Sequence, residues 1–322
     1  MRLLNVHTFA VESLDDIKRR LADDKKATDV PYVLLSHRWF PTEMTFGDMP
    51  AFVANGLRAP PEKARSATKV RGACAQVRAW RHNQKPIDYA WLDTVCINKT
   101  DPGETSETIN SMYRWYKAAT VCFVYLYDHP HDRGPFSSMT DSDWFTRGWT
   151  LQELVAPTAL EFFYQDWRHL GNRKECSAEL SPGTGIARGI LEVGGPIGKT
   201  SISHRMSWFS DRTTTKGEDE AYCLMGLFGV NMPTLYGEGS QGAFRRLQEE
   251  IMKYSDDHSL FAWVDETATD DGTSSSSPGY GLLAPAPHCF KNSGHLQHHD
   301  DGRNLTPFSV TNKGLSISLR LF

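Results

Sequence analysis

The sequence predicts an α/β domain built on a mainly parallel sheet flanked by helices, followed by a C-terminal α+β extension. Three observations lead there. Short apolar runs recur at 31–36, 89–93, 121–127 and 160–164, each of strand length. The segments between them are long and mixed enough to hold helices, and strand–helix–strand spacing of this kind suits parallel crossovers. After about residue 170 the alternation stops, and a stretch rich in Gly and Pro follows at 181–199.

Taken in order, Pro31 opens the first strand, which ends in the polar turn at Ser36. Residues 63–83 supply the first crossover helix and 89–93 the second strand. A helix starts at Asp101-Pro102-Gly103-Glu104, with an acidic N-cap, proline at the first helical position and a carboxylate at the third. It carries Ile109, Met112, Tyr113 and Tyr116 on one face. Residues 121–127 give the third strand, 150–155 a short helix stopped by Pro157, and 160–164 the fourth strand. Beyond, 203–228 is helical in parts, and Ser240 caps a helix with Phe244, Leu247 and Ile251 on one face. Residues 266–279 form a polar loop, and alternation at Leu315, Ile317, Leu319 and Leu321 predicts a strand over 311–321. The chain is expected to stop at Phe322 inside or just after a sheet. The predicted division is a first domain at 1–170, a helical extension at 171–265, and a loop with a β-rich segment at 266–322.

The formal charge of −4 and the lack of a basic run argue against a DNA-binding role. Charged residues interrupt the first thirty positions, so no signal peptide is read there, and no stretch reaches the roughly 20 apolar residues of a membrane span. Six scattered cysteines without a CxxC pair fit reduced, buried thiols and a cytoplasmic protein. Nine tryptophans mark aromatic-rich cores or ligand surfaces.

Several patterns read more simply as structure. Gly194 to Thr200 resembles a phosphate loop, but Val193 stands where its first glycine belongs, which leaves a linker. His295, His298, His299, Asp300 and Asp301 lack partners at metal-site spacing and read as an exposed loop, as do His129 and His131 in their turn. Cys96 with His37 would make a thiol–imidazole pair only if strand ends met; a buried cysteine is the plainer reading.

Three polar-aromatic clusters carry more information: Ser36-His37-Arg38-Trp39, Asp93 to Asn98, and Arg147 to Leu154. Each lies at the carboxyl end of a predicted strand or the start of a helix, where open α/β sheets bind ligands. Arg, His and Ser offer donors to phosphate or ribose, Trp offers a face to a flat heterocycle, and a carboxylate there stabilises an oxocarbenium-like sugar. In 150–155 the core face is carried by Leu151, Leu154 and Val155, which leaves Glu153 to face solvent or a cleft.

Together with Met1 to Asn5, Ile109 to Tyr116 and Trp144 to Leu154, these clusters resemble the HET domain of fungal heterokaryon-incompatibility proteins. Arg212 to Thr215, Glu218 to Tyr222, Tyr236 to Gly239 and Ser259 to Trp263 resemble the segment that follows such domains. Phe40 departs from the pattern, since many members place glycine there. The resemblance implies a cell-death module of the innate-immunity kind. HET domains are similar to TIR domains, which have a flavodoxin-like fold and often cleave NAD at the nicotinamide–ribose bond. By that likeness Trp149-Thr150-Leu151-Gln152-Glu153-Leu154 matches the TIR stretch with the catalytic glutamate, with Thr150 in place of cysteine. Glu153 is then the catalytic residue, and Ser36, His37, Arg38, Trp39, Asp93, Arg147 and Trp149 bind substrate. No metal or resident cofactor is called for, because NAD is the substrate. The alternative is a non-enzymatic module that signals by self-association or partner recruitment, and a third is a Cys96-based hydrolase.

Overall fold

The structure, a computed structural model, describes residues 1–23, 30–82, 84–134, 136, 138–194, 197–265, 281–297, 309–311 and 314–316. The chain divides into two compact units, residues 1–195 and 196–322.

The first unit is built on one sheet. Its strands in chain order are β1 (Arg2–Asn5), β2 (Val11–Ser13), β3 (Tyr32–His37), β4 (Tyr89–Trp91), β5 (Val121–Tyr125), β6 (Leu160–Phe163) and β7 (His169–Asn172). They lie in the order β2-β1-β4-β3-β5-β6-β7. Pairings β3–β4, β3–β5 and β5–β6 are parallel, whereas β1–β2, β1–β4 and β6–β7 are antiparallel. The sheet is therefore mixed, with a parallel centre and antiparallel additions at both edges. Every residue of β3 and β5 is buried, as strands covered on both faces require.

Helices flank this sheet: α1 (Leu14–Asp23), α2 (Met49–Ala54), α3 (Ala64–Ala79), α4 (Asp93–Cys96), α5 (Pro102–Ala118), α6 (Thr150–Val155), α7 (Ser177–Thr184) and α8 (Arg188–Val193). The crossover from β3 to β4 carries α3, that from β4 to β5 carries α5, and that from β5 to β6 carries α6. The start of α5 is the predicted one: the Asp101 side chain accepts from the N–H groups of Gly103 (2.9 Å) and Glu104 (3.2 Å), with Pro102 at the first position. Glu104 turns outward from the cap to accept from the Asn98 N–H (3.1 Å) and to pair with Arg2, tying β1 to α5. Between α8 and the second unit, Gly194 takes φ 59°, and a Cβ there would meet the buried Arg173 guanidinium at 1.9 Å. That guanidinium donates to the carbonyls of Leu154 (2.6 Å) and Leu191 (3.0 Å), so this glycine serves packing and not a phosphate.

The second unit holds α9 (Ile202–Ser207), α10 (Asp219–Tyr222), α11 (Met225–Phe228) and α12 (Ser240–Met252). The predicted face of α12 is buried, with Phe244, Leu247 and Ile251 joined by Ala243 and Gln248; its N-cap is Gly239, and Ser240 is the first helical residue. Gln248 brackets Ala284, donating to its carbonyl (2.8 Å) and accepting its N–H (3.0 Å), so that a buried side chain stands in for a strand partner. Strands β8 (Ser309–Thr311) and β9 (Gly314–Ser316) pair antiparallel. Thr311 and Gly314 face each other there, so the single strand expected over 311–321 is instead two within its described part. The loop expected at 266–279 and the end of the chain from 317 lie outside the described residues.

Candidate functional site

β3 ends in Ser36 and His37, whose side chains point to opposite faces of the sheet because strand side chains alternate. On one face the Ser36 hydroxyl donates to Glu153 Oε2 and accepts from Trp144 Nε1 at 2.8 Å. Trp144, Ser36 and Glu153 thus form a relay that is buried throughout; Glu153 is only 7% exposed. All six residues of α6 are buried, so Glu153 faces neither bulk solvent nor an open surface, contrary to the expectation from its helix position. Burial pushes the Glu153 carboxyl up to about 7. The Ser36 hydrogen bond opposes that rise, the negative charge of Asp93 adds to it, and the Tyr116 hydroxyl and Arg147 oppose it further. The group therefore sits near the midpoint of its titration at neutral pH.

A second cluster forms around Asp93, the first residue of α4. Trp39 Nε1 donates to Asp93 Oδ2 at 2.9 Å. The Lys99 ammonium sits 3.3 Å above the Trp39 ring and 3.5 Å from the same carboxylate. Trp39 remains 44% exposed, which leaves part of its indole open to a ligand. Burial works to raise the Asp93 carboxyl, but Lys99 and Lys69 together with the Trp39 N–H hold it below its ordinary value. His37 Nε2 lies 3.8 Å from Asp93 Oδ1, yet burial first, and Lys69 second, push the imidazole down to about 4. It is neutral at pH 7, and neither ring nitrogen has a hydrogen-bond partner.

The loop after β3 is fixed from beneath. Glu43 accepts from the Phe40 N–H (2.7 Å), from the Ser66 hydroxyl and from the buried Lys69 ammonium. Lys69 also donates to the Arg38 carbonyl at 3.3 Å. Phe40, the departure noted in the sequence, is buried with the Arg65 guanidinium 4.0 Å and the Lys69 ammonium 4.2 Å from its ring centre, and Tyr127 set edge-on at 5.5 Å. A glycine there would remove this aromatic anchor; here the ring and two cations shape the loop instead.

Of the predicted residues, Ser36 and Glu153 are in direct contact, and Trp39, His37 and Asp93 make a second group. Arg147, half-buried, acts electrostatically on Glu153 and on Lys99. Arg38 and Trp149 are half-buried, the latter at the N-cap of α6. The Cys96–His37 pair does not form: the Cys96 sulfur lies against the Leu92 N–H (3.5 Å), and burial pushes its thiol up to about 12. All six cysteines are free and buried. Trp144, Tyr116, Lys99, Lys69 and Glu43 were not singled out from the sequence as site residues. Trp144 and Tyr116 stand inside quoted motifs and Lys99 directly follows one, whereas nothing in the sequence pairs Lys69 with Glu43. A cleft of about 510 Å³ is lined by Arg2, Trp91, Cys96, Glu104, Glu107 and Trp115 among others, and it includes none of the eight predicted residues. His295 is exposed, while His298, His299, Asp300 and Asp301 lie outside the described residues.

This chain is 40% identical over 236 residues to the Vegetative incompatibility protein HET-E-1 of Podospora anserina, a match covering 69% of this chain and 16% of that protein. The family profile described as Heterokaryon incompatibility protein (HET) matches residues 32–138. The chain belongs to the heterokaryon incompatibility (HET) family. The HET match takes in Ser36 to Trp39 and Asp93 and ends before Trp144, Arg147, Trp149 and Glu153. Residues 242–306 match a second profile, described as Domain of unknown function (DUF8212). The chain spans only 16% of the length of the relative it matches. No solved structure matches it. Among the described residues no helix is long and apolar enough to cross a membrane.

Proposed function

We propose that this HET chain is the effector module of a cytoplasmic cell-death response and hydrolyses NAD at the nicotinamide–ribose bond. The observation that carries the reading is the Glu153 carboxyl, buried, held by Ser36 and raised to about 7 at the carboxyl ends of parallel strands. The parallel strands β4-β3-β5-β6 run second, first, third, fourth in chain order, the arrangement of flavodoxin-like sheets, and this supports a TIR-like module. In such sheets ligands bind where the order reverses, here beside β3 and β5, and Ser36 ends one of these strands. In the proposed reaction the C1′–N bond breaks, nicotinamide leaves neutral, and the Glu153 carboxylate stabilises the ribosyl cation until water adds. Trp39 presents a stacking face, Arg38 and Arg147 neutralise the diphosphate, Trp149 and His37 close the surroundings, and Asp93 holds the Trp39 indole in place.

The test is nicotinamide release from NAD by the purified chain, followed by chromatography. Glu153→Ala is expected to abolish release without lowering folded yield; full activity in that variant removes Glu153 from the role. One observation favours a second reading: Glu153 is almost inaccessible and already bonded within the protein. On that reading the relay is structural and the module signals by self-association. Concentration-dependent assembly, seen by light scattering with no nicotinamide released, supports it over hydrolysis.

A further inference from the structure

In the second unit three chemically distinct metal-ligating groups meet at a place that no established role covers. A carboxylate oxygen of Asp265, a ring nitrogen of His288 and the sulfur of Cys289 all lie within 4.8 Å of one another. They come from two segments far apart in the chain, joined by a hydrogen bond from the Val264 N–H to the Cys289 carbonyl at 3.0 Å. Two further bonds hold the same segments together, from the Ser293 hydroxyl to the Ala262 carbonyl (2.6 Å) and from Trp263 Nε1 to the Leu282 carbonyl (3.0 Å). The backbone thus fixes the approach of the three side chains independently of any ligand.

We propose that Asp265, His288 and Cys289 form a binding site for a zinc-class divalent metal ion that staples residues 262–265 to the 3-10 helix Pro287–Ser293. The donor set decides the class. One thiolate, one imidazole and one carboxylate are the ligands of Zn²⁺ and its neighbours, whereas Mg²⁺ and Ca²⁺ take oxygens. Bond lengths of about 2.0–2.3 Å put ligand atoms of a tetrahedral site about 3.5 Å apart. Closing from 4.8 Å asks for about an ångström of movement, which the exposed His288 side chain supplies by rotation. Three protein ligands leave a fourth position for water.

Binding displaces the thiol proton: the S–H bond breaks, the metal–sulfur bond forms, and one proton passes to solvent. Few long elements frame this part of the unit, where 3-10 turns at His258–Phe261 and Pro287–Ser293 replace helices, and metal ligation orders such segments effectively.

The experiment is titration of the full chain, freed of metal by a chelator, with Co²⁺, followed by Zn²⁺ competition. One equivalent of Co²⁺ is expected to give a near-ultraviolet thiolate-to-cobalt band, displaced by Zn²⁺. Cys289→Ser should lose the band, and His288→Ala and Asp265→Asn should each weaken binding at least about tenfold. Circular dichroism of the metal-free variants separates lost binding from lost folding, and the surface-facing His288→Ala keeps the test informative if Cys289→Ser fails to fold. A wild-type protein without the band, or a band of full strength in folded Cys289→Ser, overturns the proposal.

Discussion

Replacing Glu153 with glutamine should make the protein more stable at alkaline pH, an effect opposite to that of most buried substitutions. The carboxyl titrates at about 7 in the folded protein against 4.5 for a free glutamate. Between those values the folded state binds more protons than the unfolded one, so this group's contribution falls as pH rises through that window. Above pH 7 the full difference applies: about 2.5 pH units at about 1.36 kcal/mol each, or about 3 kcal/mol of destabilisation. Glutamine has the same shape, carries no charge at any pH, and its carbonyl still accepts from the Ser36 hydroxyl. Urea unfolding followed by tryptophan fluorescence at pH 5 and pH 8 measures the effect. The expected result is near-equal stability at pH 5 and a Glu153→Gln gain approaching 3 kcal/mol at pH 8. A stability difference that does not change between the two pH values refutes the reasoning, because an ionisation cost must follow the ionisation. The outcome also bears on function. A protein that keeps a carboxyl where a neutral isostere is more stable holds it for chemistry, as sites that trade stability for activity do.

Ser36→Ala removes the donor to Glu153 and leaves the Trp144 N–H without its acceptor, a loss of about 1–3 kcal/mol in urea unfolding, with the Glu153 carboxyl driven further above about 7. Lys69→Met strands the buried Glu43 carboxylate and should cost about 3–5 kcal/mol by the same measurement. It also lifts one of the three influences that hold His37 near 4, so the imidazole resonances should titrate at higher pH in NMR spectra. Gly194→Ala places a Cβ against the Arg173 guanidinium at φ 59° and should lower stability by more than about 1 kcal/mol, read as a fall in Tm.

The centre of the sheet was legible because its strands are covered on both faces. β3 is apolar over 32–35 and β5 throughout, and the polar residues that follow mark their ends. β1, β2 and β7 escaped for the converse reason. They are three or four residues long, β2 and β7 form the two sheet edges, and β7 reads His-Leu-Gly-Asn, which no periodicity distinguishes from a loop. The cap of α5 was legible since Asp101 and Pro102 act locally. The environment of Glu153 was not. A helix wheel tells which side of a helix is apolar, but α6 is only six residues long and enclosed on every side, so the residue off its apolar stripe is buried too. What encloses it comes from 117 positions away, at Ser36, and from Trp144 on the preceding loop. The Lys69–Glu43 pair under the β3 loop is a contact of the same kind, made by tertiary packing between residues that share no motif.

Three titratable groups at the ends of these strands are held in three different states at neutral pH, and this difference assigns their roles. His37 is pushed down to about 4 and stays neutral, so it neither balances Asp93 nor takes up a proton near pH 7. Asp93 is held below its ordinary value and remains an anion; with its Oδ2 engaged by both Trp39 and Lys99, it organises the indole face and is a poor proton donor. Glu153 alone changes state near pH 7. If the site cleaves NAD, the ionised form is the one that stabilises a ribosyl cation, and kcat/KM should fall as pH drops below about 7 while Asp93 stays charged throughout. A pH profile that breaks near 4 would point to His37, and one without a break would leave the relay from Trp144 to Glu153 as a structural support for β3 and α6.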